Sequence, residues 1–503
     1  MIIMQMWKYV KNHPAWPVWM IFIFLSLLHL YIPLVNHYNF KTFAYDYGVY
    51  NFAFYDFAHG RVSPCPVYMS PHPINFLQDH FSLLLLVLSP LYWLLTPFFG
   101  TYTLLILQWT FIVLGGLATY RLIFDETGRY TIALAAMIYY FILYARFAAY
   151  MSDCNLMTMG AALLPVFMYL FRSGKKGLLF LCFLLLLLTR EDFSLSLFFL
   201  CLTLCIVHRK EKPQRNLALV LAGLALLYFV LVFKVLIPLF ETENQKFSLF
   251  NYTALGAGPG EALRFMIMHP VRTLEMFFVN HTADPAADGI KAEFYLVYLV
   301  SGGFILFSRP VYLLALIPLI AKKMLNDSSW RWGIEMYQSV EVASLLPVLV
   351  FLVISDWRSV RLQWFFSALV CLATLLVSLF YIKESTIRAF GFNKVDFLDR
   401  SFNASDYDLK EARLLAAQIP ETAAVAASGR LLPALAFREK IFHFPYTKKA
   451  EYVFVHKIGH TFPFDQEKFD EALEKLLVSG DWSVLYESDQ FTLLKRKEPP
   501  GSG

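Results

Sequence analysis

Charge is what this chain has least of. Only 16% of its 503 residues are Asp, Glu, Lys or Arg, and 58% are hydrophobic. A soluble domain carries about 25% charged residues, so this composition excludes an ordinary soluble globular protein. Glycine is not arranged in any phosphate-binding loop, and no Walker sequence occurs, which removes the usual nucleotide-dependent classes. Internal repeats, low-complexity tracts and heptad seams are absent too. The six cysteines add little: Cys182, Cys201, Cys205 and Cys371 fall in apolar runs, where a thiol behaves as a small hydrophobe. Cys65 and Cys154 remain as a pair that an oxidising compartment would permit, a question spacing alone leaves open. The net charge of +5 sits in connecting loops and in the polar C-terminal part, so no nucleic-acid partner is implied.

What the chain has in quantity is apolar runs. Lys8 and Lys11 precede one at 15–35, long enough at about 1.5 Å per residue to cross a hydrocarbon core of roughly 30 Å. Further runs lie near 101–121, 130–148, 156–171, 176–189, 193–207, 216–240, 294–308, 310–322, 341–355 and 362–382. With the first they predict an α-helical polytopic membrane protein of about eleven transmembrane helices. The segment 80–98 is apolar but carries Pro90 and Pro97. If it stays on one side as a re-entrant or interfacial helix, Arg121, Arg129, Arg172, Lys175, Lys176, the 208–215 loop, Arg309, Arg358 and Arg361 all fall in the cytoplasm, as the positive-inside rule prefers. That topology puts the N-terminus in the cytoplasm and the C-terminal part outside.

The sequence therefore divides into a membrane domain at 1–382, with outer loops at 36–100 and 241–292, and an extracytoplasmic α/β domain at 383–503. In the latter, TAAVAAS, KIFHFP, EYVFVH, WSVLYES and FTLLKRK read as short strands. ASDYDLKEARLLAAQI reads as a helix capped by Ser405 or Asp406, and FDQEKFDEALEKLLVSG as one closed by Gly480. No metal-ligand spacing is visible in this domain, and its plainest role is a cap that positions an acceptor.

The few polar residues outside the apolar runs gather on the predicted outer face. Asp46, Asp56, His59, His72, Asp79, His80, Arg146, Asp153, Asn155, Arg190, Glu191 and Asp192 are among them. Carboxylates beside hydrocarbon are costly and tend to be functional. The TRED run at 189–192 has two readings: a polar turn in which Asp192 caps the next helix, or a site in which Glu191 or Asp192 binds a metal or phosphate group with Arg190 or Arg146 as partner. In FAYDYGVYNFAFYDFAHG, at 43–60, helical spacing places Asp46, Tyr50, Ala53 and Phe57 on one face. The aromatics read as an interfacial belt. Asp56, about 80° away, reads as a solvated neighbour, whereas a carboxyl like Asp46 among Phe, Ala and Tyr has its pKa raised unless it has a partner or a task. Lys234 is the one charge placed mid-span, where a transporter would need it, and snorkelling accounts for it.

YDYGVYNFAFYDFAHGR, then the QDHFS segment, TRED, HPVRTLEMFF and RPVYLLALIPLIAKKMLND together resemble a bacterial family of polytopic membrane proteins of unknown function. That family is similar in fold to the GT-C glycosyltransferases, and the likeness runs from about 40 to 345. The resemblance implies transfer of a sugar from a polyprenyl-phosphate-type lipid donor to an acceptor at the outer face of a bacterial inner membrane. It places Asp46 at the acidic position that acts as base or metal ligand. It extends to Asp79, His80, Glu191 and Asp192, and it admits a divalent cation, Mg or Mn, held by Glu191, Asp192 or Asp153. The sequence departs from the family at 151–157, where Asn155, Leu156 and Met157 stand in place of a histidine, proline and glutamate. On the chemistry, Arg190, Arg146, Lys322 and Lys323 are the candidates for the donor phosphate, with Tyr50, Asp79 and His80 lining the site. A transporter or flippase, or a non-catalytic scaffold, is the alternative.

Overall fold

The computed structural model describes residues 16–69, 74–240, 250–384, 393–459, 461 and 464–497. Lys8, Lys11 and His72 lie outside these. The chain is mostly helical, with one small sheet near its C-terminus. Among the described residues, six helices are long and apolar enough to cross a membrane: Trp16–Tyr38, Leu91–Thr127, Leu156–Ser173, Lys212–Phe240, Tyr337–Ser355 and Val360–Glu384. A seventh is counted if the pair Tyr130–Ile142 and Tyr144–Ser152, bent by 43°, forms one span.

The expected eleven therefore shrink, for reasons of length. The runs at 176–189 and 193–207 form helices of 12 and 15 residues, Lys176–Leu187 and Phe193–Val207. At about 1.5 Å per residue each falls short of a core of roughly 30 Å. The run at 294–308 ends its helix at Val300, where Gly302 turns the chain with φ +107°; a side chain there would meet Val370 at 2.9 Å. Of the segment 80–98, Leu84–Leu88 is a short helix, and Leu91–Phe99 ends at Gly100, whose φ of +51° and ψ of −137° are not helical, before Gly100–Tyr102 leads into Thr103–Thr127. Its second half is thus an apolar helix with Trp93, Leu94 and Phe98 exposed, set off by a turn from the helix that follows.

Burial sorts the long helices. Leu156–Ser173 and Tyr337–Ser355 are buried along most of their length and form the centre. Trp16–Tyr38 is two-faced: Phe22, Leu25, His29 and Ile32 point inward, and Met20, Ile23, Phe24 and Leu27 make an outward apolar stripe. In water such a stripe would be a liability. Facing lipid it needs no partner.

All five expected strand segments form strands, in the order β2-β1-β3-β5-β4. β1 (Val425–Ala427) is parallel to β2 (Ile441–His443) and to β3 (Tyr452–His456). β4 (Trp482–Glu487) and β5 (Phe491–Arg496) close the other edge as an antiparallel pair, β5 against β3. The helix Leu409–Ala417 starts later than expected, because Asp408, and not Ser405 or Asp406, accepts the N–H groups of Lys410 and Glu411. Gln466–Val478 is capped by Asp465. The sheet is joined to the helices by main-chain contact: the Ala44 N–H donates to the Gly429 carbonyl at 2.8 Å, just beyond the end of β1.

Candidate functional site

Ala44 opens the segment that holds Asp46. Its backbone departs from the helix on whose face the sequence placed it. Asp46 has φ +60° and ψ −84°, a conformation that costs a non-glycine residue of order 1–3 kcal/mol and persists only where the surroundings enforce it. Three contacts do so: the bond to Gly429, a bond of 2.9 Å from the Phe43 N–H to the Asp153 carboxylate, and the helix Val49–Ala58 that follows. That helix is buried almost throughout. Its aromatics fill core rather than an interfacial belt, so the sequence expectation is corrected here. Asp56 is corrected as well: it is buried, and it accepts from Arg61, from the Ser63 N–H and from the Ser63 hydroxyl.

Asp46 itself is half-buried, and four charges from distant segments act on it. Burial does most to raise its carboxyl, Asp153 and Asp79 add to this, and Lys394 and Arg190 oppose it; the result is a pKa of about 7. A carboxyl at that value is divided between its two forms at neutral pH. Tyr50 lies next to Asp46. Burial, with the Asp46 charge, pushes its hydroxyl well above the ordinary value, and the Asn155 side chain donates to that hydroxyl at 3.3 Å. Tyr337 feels the charges of both Asp46 and Arg190. Asp79 ends the short helix Phe76–Asp79, which a capping box of Asn75 and Gln78 holds in place; His80 lies 3.6 Å from its carboxylate. Tyr50, Asp79 and Arg190, expected with Asp46 at one site, thus come from three stretches of chain, and the charges of Asp79 and Arg190 act on Asp46.

Asp153 is differently engaged. It too has a left-handed backbone, φ +57°, and its carboxylate is buried in an ion pair with Lys394. The Lys394 ammonium also sits over the Phe43 ring, 4.9 Å from its centroid. Nothing in the sequence marked Lys394, which lies beyond the last span and reaches Asp153 only through the fold.

The TRED turn lies between the two short helices, facing the protein interior. Arg190 pairs with Glu191 and with Asp192, both at 3.3 Å, and Asp192 pairs with Lys322 at 2.9 Å. Lys322 also pairs with Glu341, a buried carboxylate that the sequence reading passed over, although a lone acid opening an apolar run was the available signal. Burial opposes the charge on Arg190, yet Asp192 and Glu191 hold its pKa well above the usual value. Asp192 is correspondingly held below the ordinary carboxylate range: Arg190 and Lys322 overcome the effect of burial. The helix Leu156–Ser173 supports the turn at Gly160, where a Cβ would stand 2.3 Å from the Thr189 methyl group. Gly160→Val is therefore expected to cost about 1–3 kcal/mol, as overpacking does, and to displace the turn. Thermal unfolding in detergent measures the first effect.

Two expected phosphate ligands stand elsewhere. Arg146 is fully buried, donates to the carbonyls of Tyr140 and Ala343 and to the Ser344 hydroxyl, and stacks 3.7 Å from the Tyr140 ring centroid. It clamps two helices together instead of facing the site. Lys323 is held by the Gly333 carbonyl and the Ser339 hydroxyl. Lys234 is exposed on the outer side of its helix and lines no interior path. Cys65 and Cys154 are both free. Among the described residues no group of three or more His, Cys, Asp or Glu forms a metal site, and Glu191, Asp192 and Asp153 each face a cation.

Residues 36–493 match the family model DUF2079, described as a predicted membrane protein. The chain belongs to this family. The DUF2079 match begins where the first long helix ends and stops within β5, so the Asp46 segment, the charged turn and the sheet are parts of one family unit. No curated protein matches the chain.

Proposed function

We propose that this DUF2079 protein is a membrane glycosyltransferase of GT-C type that takes a sugar from a polyprenyl-phosphate-type donor. The observation that carries this reading is Asp46: a carboxyl with a pKa of about 7, held in a strained backbone, within electrostatic reach of Arg190 and beside Tyr50 and Tyr337. A general base works best when its pKa lies near the working pH. Asp46 takes the proton of an acceptor hydroxyl as that oxygen attacks the anomeric carbon. The bond from that carbon to the phosphate oxygen breaks, and the polyprenyl phosphate leaves with the bonding pair.

Arg190 and Lys322 supply positive charge for the departing phosphate. Both are already matched by Asp192, Glu191 and Glu341, so the phosphate must compete with these carboxylates. No step is routed through a metal ion. In this reading the site lies on the extracytoplasmic face of a bacterial inner membrane, where a lipid-borne donor reaches it along the bilayer.

Membranes containing the protein, given radiolabelled polyprenyl-phosphate sugars and a mixture of envelope acceptors, are the test. Label leaving the lipid fraction only when the protein is present supports the reading, and no release with any donor overturns it. The pH dependence is part of the same experiment. Because the base must be unprotonated and its pKa is raised, transfer is expected to be full above pH 8 and to fall as pH drops through about 7. A base at the ordinary carboxylate value would hold its rate down to about pH 5.

A further inference from the structure

The region between the spans Lys212–Phe240 and Tyr337–Ser355 contains two consecutive short helices, Pro259–Met268 and Pro270–Met276, with an unusual distribution of apolar residues. One side of the pair is packed: Ala262 and Met276 are buried with Leu255 and Leu325, and Phe265, Met266 and Phe277 rest against them. Leu263, Ile267, Met268, Val271, Leu274 and Phe278 are nevertheless 56% to 80% exposed. In the second helix this is a geometric pattern. At 100° per residue Val271 and Leu274 lie about 60° apart on the side away from buried Met276, and Phe278, in the turn just past the helix end, is exposed as well. Arg272 and Glu275 occupy the flank between the two faces.

A helix that is apolar on two opposite faces, with charge between them, is covered on both. The fold covers one. The other is open, as are the apolar faces of the long helices of this membrane protein, Val235 and Leu239 on Lys212–Phe240 among them. Cationic residues accompany the outer face, Arg264 on the first helix and Arg272 on the second, and both are exposed. Amphipathic helices with arginine beside a large apolar face lie in the head-group region of a bilayer.

We propose that Pro259–Met268 and Pro270–Met276 lie in the bilayer interface, with Val271, Leu274 and Phe278 dipped among the acyl chains and Arg264 and Arg272 at the lipid phosphates. The pair is a lipid-seated platform. It is tied to the candidate site: the Tyr252 hydroxyl donates to the Lys322 carbonyl at 2.9 Å, and the Asp327 carboxylate accepts the Thr253 N–H at 2.7 Å. A change in its depth would therefore be felt at the helix bearing Lys322. This inference rests on membership of a membrane family and on burial, and it stands whether or not sugar transfer is the reaction.

The test is spin-label accessibility in proteoliposomes made from phosphatidylethanolamine and phosphatidylglycerol. Single cysteines are introduced into the full chain at 271, 274 and 278 and, separately, at 272 and 275, with wild-type protein labelled in parallel to subtract its native thiols. At 271, 274 and 278 the balance of collisions is expected to shift toward oxygen and away from a water-soluble nickel chelate, with the reverse at 272 and 275. Access of the chelate to all five positions overturns the proposal by placing the pair in water. Exclusion of both relaxants at 271, 274 and 278 overturns it equally, because a second copy or another protein then covers the face.

Discussion

Asp46→Asn is expected to lower sugar transfer by about 10²–10⁴-fold, the contribution typical of a positioned acid or base, while the protein accumulates to the wild-type level. The substitution keeps the size of the side chain and removes only its capacity to take a proton. It also relieves a strained site of a half-buried charge, so stability should hold or rise, and the loss of rate is then not a loss of fold. Asp46→Glu is the companion variant. It retains the carboxyl but moves it by about one methylene, and should recover part of the rate if the carboxyl's chemistry matters more than its exact placement. Initial rates from a single lipid-linked donor, normalised to protein in the membrane, give both numbers.

Lys394→Ala is expected to produce the largest loss of stability, about 3–5 kcal/mol, the usual cost of removing one partner of a buried ion pair. Lys394 and Asp153 are both essentially inaccessible. Without the ammonium, Asp153 keeps the Phe43 N–H as its recorded hydrogen-bond partner and must either stay charged in the interior or take up a proton. Either outcome loosens the segment that holds Asp46. The double variant Asp153→Asn with Lys394→Met removes both charges and should recover a large part of the loss, because a buried pair replaced by neutral groups is often close to neutral overall. Thermal unfolding followed by tryptophan fluorescence separates the two, and with Asp153→Asn and Lys394→Met also measured singly the non-additivity gives the coupling of the pair.

The residues on either side of this pair show what a sequence can and cannot reveal. The five strands were legible because short runs rich in β-branched and aromatic residues between turn residues are a local signal, and the capped helix at 466–478 was legible because its pattern is local too. The long spans were legible from hydropathy, but the short helices were not separated from them, since apolar composition says nothing about where a turn such as TRED is buried. Asp46, Tyr50, Asp79 and Arg190 attracted notice as polar groups in apolar company, and in the fold the charges of Asp79 and Arg190 act on Asp46. Lys394 and Glu341 did not, because their partners lie far away in sequence: Asp153 for one, Lys322 for the other. Arg146 misled for the same reason. Its partners, Ala343 and Ser344, lie nearly two hundred residues on, and they make it a clamp between helices. The helical face assigned to Asp46 failed because its positive φ is imposed by Gly429 and Asp153, neither of which is nearby in the chain.

The account depends most on a carboxyl at position 46 that changes its protonation near neutral pH. Infrared difference spectroscopy of the protein in proteoliposomes, titrated from pH 5 to 9, reads this without any substrate, because a protonated carboxyl has a stretching band of its own. Wild type is expected to lose one such band with a midpoint of about 7, and Asp46→Asn should lack it. A band absent from the wild type across that range, or one equally present in Asp46→Asn, would contradict the account.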